Sequence, residues 1–264
     1  MNIGWIGLGS IGLPMAVALL KSGNKVCAHS RRPHEHQVIV ENGGALVNTP
    51  AETLNDITAL GINVFSEDQL NEIITGKDGI IEDIPKGTVV FIHSTVSPAC
   101  IKKFSDQRQD VHWLDCAFSG TAKDVENGNL TLMVGGNENI LNDFKSTLAA
   151  YCKHIHYIGG TGAGLSLKII NNALFAANVQ LALDGLNAAT QSGIDVILAG
   201  KVLSQCSGGS YALNALMSGG NPFEFATQLN KYLDKDVAVA RNAAISSHIN
   251  LGKIAGVTSA YGKP

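Results

Sequence analysis

A chain of 264 residues with 45% hydrophobic side chains can fill the core of one large or two modest domains. Its formal net charge of -3 supplies no overall basic field, which argues against nucleic acid or an anionic membrane as a main partner. The five cysteines, Cys27, Cys100, Cys116, Cys152 and Cys206, lack CxxC spacing, so they read as small apolar fillers in a reducing compartment and not as a disulfide framework or zinc site.

No charged leader precedes the first apolar stretch, so a cytoplasmic address is expected by default. Asn2–Ile6 is short and apolar, Gly7-Leu8-Gly9-Ser10-Ile11-Gly12 breaks it, and residues 13–22 carry helix formers that stop at Gly23. Strand, glycine-rich turn and helix follow in that order. Lys25–His29 reads as a second strand and residues 89–93 as a later one, with a helical pattern over Glu67–Thr75 between them. This alternation predicts βαβ units and a parallel sheet, which further strands at 111–116, 130–134 and 154–157 extend. After Gly159-Gly160-Thr161-Gly162 the texture changes to helical periodicity over 163–192. The apolar run 169–186 is interrupted by Asn171, Asn172, Asn178, Gln180 and Asp184, so it predicts a buried helix and not a membrane span. Asp195, Ser210 and Asn221-Pro222 mark three further helix starts. The expected fold is α/β, an N-terminal Rossmann doubly wound sheet in residues 1–160 followed by an all-α C-terminal domain in 161–264.

The Gly7-x-Gly9-x-x-Gly12 pattern is weak alone but follows a strand and opens a helix, where backbone N–H groups receive a pyrophosphate. Gly7 serves the tight turn, Gly9 the approach of the phosphates and Gly12 the close packing of the helix, while a glycine turn without ligand is the plainer alternative. At the end of the second strand stands His29-Ser30-Arg31-Arg32-Pro33. With no carboxylate there to hold a ribose 2′-OH, Ser30, Arg31 and Arg32 favour a 2′-phosphate, hence NADP(H), unless the arginines are merely solvated. Hydride transfer to a carbonyl calls for a proton donor, and Lys168 is the candidate, with Asn172 on the same helical face four residues later. An exposed helix face is the bland alternative for that pair. His29, His93, His112, His154 and His156 show no ligand spacing, so no metal is assigned and they read as strand-end or surface residues.

Four ordered blocks together resemble the β-hydroxyacid dehydrogenase family, which includes 3-hydroxyisobutyrate dehydrogenases and tartronate semialdehyde reductases. Gly7 to Ala16 is similar to the family's cofactor loop, with Ser10 in place and Ile11 where Met is usual. Asp115-Cys116-Ala117-Phe118-Ser119-Gly120-Thr121 resembles its substrate motif, which implies that Ser119 and the backbone at Gly120 and Thr121 hold a substrate carboxylate. Gly162 to Asn172 resembles the catalytic block, implying Lys168 as general acid/base with Asn172 its companion. Lys235-Asp236 resembles the family's Lys-Asp helix start, with Lys235 closing over cofactor and substrate, and Ser94-Thr95 resembles the segment beside the nicotinamide. The resemblance implies hydride transfer between NADP(H) and a small carboxylate-bearing β-hydroxy acid or semialdehyde. Thr121 in place of a second Gly, and Cys116-Ala117 in place of Ala-Pro, imply a narrower or more polar substrate pocket. The sequence given stops at Pro264, about where the family's last helix would follow, so a homodimer or higher homo-oligomer is expected to cover the shortened helical domain. The 6-phosphogluconate dehydrogenases share the architecture but differ at the catalytic helix. An imine-reductase-like enzyme and a non-catalytic dinucleotide-binding module are the competing expectations, and the presence of Lys168 argues against both.

Overall fold

The computed structural model describes residues 1–246 and 249–261. In chain order the first elements are β1 (Asn2–Ile6), α1 (Gly12–Lys21), β2 (Lys25–His29), α2 (Val38–Glu41), β3 (Ala45–Val47), β4 (Ala59–Ile62), α3 (Glu67–Thr75), β5 (Val89–Ile92) and α4 (Pro98–Gln107). Then come β6 (His112–Ser119), α5 (Ala122–Glu126), β7 (Leu130–Gly135), α6 (Glu138–Leu148), β8 (Cys152–Gly159) and α7 (Ala163–Gln191). The remainder is helical among the described residues: α8 (Val196–Leu203), α9 (Tyr211–Ser218), α10 (Pro222–Ser246) and α11 (Lys253–Val257). One compact unit spans Met1–Lys168 and a second begins at Ile169. The architecture is an N-terminal Rossmann doubly wound sheet followed by an all-α C-terminal region.

The sheet of the first unit has the order β3-β2-β1-β4-β5-β6-β7-β8. Every residue of β4 and β5 is buried, as expected of central parallel strands covered on both faces. Alternate side chains feed two cores, Trp5, Val89 and Phe91 on one face and Leu60, Val90 and Ile92 on the other. The strand order reverses at β1, which runs to β2 on one side and β4 on the other, so the crevice at their carboxyl ends is the switch point where such sheets bind ligands.

The expected all-parallel sheet is corrected at one place, where β6 and β7 pair antiparallel. The connection between them carries only the short α5, too little chain for the crossover that a parallel return needs. In the second unit, helix α7 is less buried than expected: Leu174 and Leu181 are 47% and 55% exposed, because the helix packs only one stripe into the cores around Ala176, Val179 and Leu186. Cys206 is exposed beyond the end of α8 and is no core filler, and Cys27 is only half-buried. His93, read as a strand-end or surface residue, does follow the end of β5 but is buried there between Trp5 and Tyr151. Lys235-Asp236 stands in the middle of α10 and not at a helix start, because Asn221 Oδ1 already accepts the N–H groups of Phe223 and Glu224 and so begins that helix at Pro222.

Candidate functional site

The turn after β1 is shaped by close backbone approach. Gly7 has φ +102°, and a Cβ there would collide with the carbonyl oxygen of Asn63, just past β4. A Cβ on Gly12 would collide with the Gly7 carbonyl in the same way, so both positions require glycine for packing. Gly9 differs, because no atom lies within 4 Å of where its Cβ would stand. Gly9 and Ser10 are exposed and Ile11 half-buried. No side chain caps α1 and no acidic residue occupies its first turn, so its amino end and the open side of Gly9 fit an anionic pyrophosphate.

The turn after β2 is closed from within. Ser30 is buried, its Oγ accepts the Arg32 N–H at 3.0 Å, and it lies 2.6 Å from His36 Nδ1. The hydroxyl expected at the phosphate is therefore engaged in holding the turn. Arg31 and Arg32 are both exposed. Arg32 Nη1 lies 3.0 Å and 2.9 Å from the two carboxylate oxygens of Glu35, a partner that sequence reasoning missed when it found no carboxylate at the strand end. Across the crevice, Ser94 is buried and its Oγ accepts the Val64 N–H at 2.8 Å, tying the segment after β5 to the one after β4, with Thr95 half-buried beside it.

Asp115 joins strand β6 to helix α7. It is fully buried, and its Oδ1 and Oδ2 accept the N–H groups of Gly162 and Leu165 at 2.6 Å and 2.9 Å. Burial pushes its carboxyl up, and the N–H donors at the helix start oppose that push. Two glycines make room: a Cβ on Gly135 would stand 2.6 Å from Asp115 Oδ1, and one on Gly164 would collide with the Met133 carbonyl. Asp115 is thus the cap of α7, delivered from a strand far away in sequence. From this fixed point the chain runs along β6 to Ser119 and along α7 to Lys168, whose Nζ lies 5.7 Å from the centroid of the Phe118 ring. Ser119, Gly120 and Thr121 are exposed. The N–H and hydroxyl of Thr121 both donate to Asp124 Oδ2 at 2.7 Å, a capping box that begins α5. That donor, expected at a substrate carboxylate, is engaged within the protein.

The second unit gathers a different set. Asn172 is buried, donates from Nδ2 to Asp236 Oδ2 at 2.8 Å and accepts from Asn171 at 3.2 Å. Lys235 Nζ lies 3.9 Å from Asp236 Oδ1, so Asp236 links the two candidates that sequence reasoning named separately. Burial lowers the Lys235 pKa and the Asp236 charge opposes it. The adjacency of Asp236 to Lys235 was the only signal for it in the sequence. Among the described residues no group of three or more His, Cys, Asp or Glu side chains is placed to hold a metal ion. No described helix is long and apolar enough to cross a membrane.

A family model described as the NAD binding domain of 6-phosphogluconate dehydrogenase matches residues 2–159, and one described as NAD-binding of NADP-dependent 3-hydroxyisobutyrate dehydrogenase matches residues 162–262. Over 268 residues the chain is 28% identical to 2-(hydroxymethyl)glutarate dehydrogenase of Eubacterium barkeri, covering 99% of this chain and 88% of that one. It is also 28% identical over 265 residues to the mitochondrial 3-hydroxyisobutyrate dehydrogenase of Rattus norvegicus, covering 96% and 79%. The fold matches that of a Mycobacterium tuberculosis 3-hydroxyisobutyrate dehydrogenase solved with L-serine, with TM-score 0.84 at 20% identity over 97% of this chain and 91% of that one.

Proposed function

The chain belongs to the β-hydroxyacid dehydrogenase family of NAD(P)-dependent oxidoreductases, and we propose that it moves a hydride between NADP(H) and a small β-hydroxy acid or semialdehyde, with Lys168 as general acid/base. The observation that carries this reading is the position of the Lys168 ammonium over Phe118, the residue before Ser119, which sets the candidate proton donor beside the candidate substrate strand within one compact unit.

The nucleotide would be held by Gly7, Gly9, Ser10, Ile11 and Gly12 at the amino end of α1, by Arg31 and Arg32 at its 2′-phosphate, and by the segment at Ser94 and Thr95. When bound, its nicotinamide would supply or accept the hydride. The Ser119 hydroxyl and the Gly120 N–H would hold the substrate carboxylate, with Thr121 shaping that turn through its bonds to Asp124. Lys168 would hydrogen-bond the substrate oxygen and give it a proton as negative charge develops there, taking the proton back in the oxidation. Asn172, one turn further along α7, would act as its companion, oriented by Asp236, and Lys235 would bind the cofactor. Residues 1–160 would then be the nucleotide-binding domain, which also contributes the Ser119 turn to the substrate, and 161–264 the helical domain for further substrate and dimer contacts. Leu174, Leu181, Leu198 and Val202, each 47–55% exposed, are the apolar surface that a second copy would cover.

The test follows NADPH absorbance against a panel of small semialdehydes. Lys168→Ala is expected to lower turnover by about 100-fold or more with NADPH affinity unchanged. Unchanged turnover would remove Lys168 from the chemistry. Cofactor binding without turnover of any carbonyl would favour a non-catalytic module.

A further inference from the structure

The turn after β2 carries both signs of charge in a fixed arrangement. Arg32 and Glu35 face each other across the short 3-10 turn Pro33–Glu35, with the guanidinium Nη1 within 3.0 Å of both carboxylate oxygens. Backbone and buried contacts hold them in register: Pro33 sets the first position of the turn, the Arg32 N–H donates to Ser30, and the buried Ser30–His36 contact ties its two ends. His34 Nε2 lies 3.8 Å from the same Glu35 carboxylate. Arg31 forms no ion pair among the described residues.

We propose that Glu35 is a specificity-determining residue that occupies Arg32 where a cofactor 2′-phosphate would, and so narrows the preference for NADPH over NADH. This rests on the reading of the turn as the 2′-phosphate site. A phosphate dianion arriving at Arg32 must displace the carboxylate or lie beside it, and either course weakens NADPH binding. A ribose 2′-OH is neutral and meets no such opposition, and a carboxylate near the end of the second strand can accept a hydrogen bond from it. Arg31 supplies the undiverted cation for the phosphate, so the turn favours NADPH without excluding NADH. Because the Arg32 and Glu35 side chains are 66% and 42% exposed, solvent screens the pair and bounds the effect.

The test is equilibrium titration of the whole protein with NADPH and with NADH, read by nucleotide fluorescence. Glu35→Gln is expected to tighten NADPH by about two- to fivefold, the range of an exposed ion pair, and to leave NADH unchanged or slightly weaker. In an Arg32→Ala background the same substitution is expected to change nothing, since the cation that Glu35 diverts is gone. The proposal is overturned if Glu35→Gln leaves NADPH binding unchanged, if NADPH and NADH tighten together, or if the gain survives without Arg32. A double Arg31→Ala, Arg32→Ala variant separates the two levels. Equal losses for both nucleotides would remove the 2′-phosphate reading itself, whereas a selective NADPH loss with a silent Glu35→Gln would remove only the role of Glu35.

Discussion

Asp115 and Glu35 are both carboxylates beside residues that we place at the ligand, but they are held in opposite ways. Asp115 is fully buried and bonded to N–H groups at the start of α7, with Gly135 and Gly164 clearing the space around it. Glu35 is exposed on a turn and bonded to a single guanidinium. In the low dielectric of the interior each Asp115 contact is strong and a missing one leaves a polar group with no replacement from water. On the surface, water and salt replace what Glu35 gives up. The junction therefore fixes where Ser119 and Lys168 start from, whereas the turn adjusts which nucleotide is preferred without disturbing anything packed. Substitutions at the two places should separate accordingly into effects on stability and effects on cofactor choice.

The largest effect is expected at Asp115. Asp115→Ala leaves the N–H groups of Gly162 and Leu165 without their acceptor, and at about 1–3 kcal/mol for each unsatisfied buried donor the net loss should be about 3 kcal/mol after relief of the buried charge. Asp115→Asn keeps one acceptor and turns an NH₂ toward the other donor, so it should fall between. Urea unfolding midpoints measure both, and an alanine variant as stable as the parent would break the contrast. Next comes His93, buried against Cys116 and Tyr151 and pushed down to about 4 by desolvation, with the Cys116 carbonyl pulling the other way. That carbonyl only accepts, so Nδ1 carries the proton and Nε2 accepts the Tyr151 hydroxyl. The unfolded chain takes up a proton near 6.5 that the folded protein refuses until about 4. Stability contributed by neutral His93 is thus present above that window and falls as pH drops through it, by about 3 kcal/mol in all. Asp115, raised by burial, acts with the opposite sign as pH rises from its ordinary carboxylate range. The measure is consequently the difference between parent and His93→Asn, and identical pH dependence of their melting temperatures would refute the assignment.

The glycine turn, the strand before it and the long helix α7 could be read from sequence because each is a local signal: a change of period, a cap, a run of glycines at the end of an apolar strand. Asp195 and Ser210 accept the Leu198 and Leu213 N–H groups, as helix-start residues should. The short β4 was not legible, since Ala59–Ile62 contains Gly61, a position where any Cβ would strike the Trp5 ring, and that requirement comes from a different strand. The capping of α7 by Asp115 was equally invisible, because nothing in the neighbourhood of Gly162 announces a carboxylate arriving from β6. Glu35 was in plain view, yet its pairing with Arg32 depends on the closure of the turn by Ser30 and His36. The glycines of the turn, the residues after the second strand and the Lys168–Asn172 pair came from local chemistry, and the resemblance added Ser119, Gly120, Thr121, Ser94, Thr95 and Lys235 as candidates. Only in the folded chain do Ser30, Ser94 and Thr121 spend hydroxyl contacts on shaping the backbone around those candidates.

Gly9 gives the smallest expected effect on the fold and the sharpest division between folding and binding. Its backbone lies outside the left-handed region and its missing Cβ would touch nothing, in contrast to Gly7 and Gly12, whose Cβ atoms would strike backbone. Gly9→Ala should therefore leave stability unchanged or raise it by up to about 1 kcal/mol, because the unfolded chain loses freedom that the folded one never used. The added methyl group instead stands in the space through which a pyrophosphate would approach the end of α1. Since that group is common to both nucleotides, NADPH and NADH are expected to weaken by the same factor, about tenfold, which corresponds to about 1.4 kcal/mol. Glu35→Gln should change the ratio of the two affinities, whereas Gly9→Ala should move both and preserve the ratio. Nucleotide titrations that left Gly9→Ala indistinguishable from the parent would mean that the open side of this turn is not where the phosphates lie.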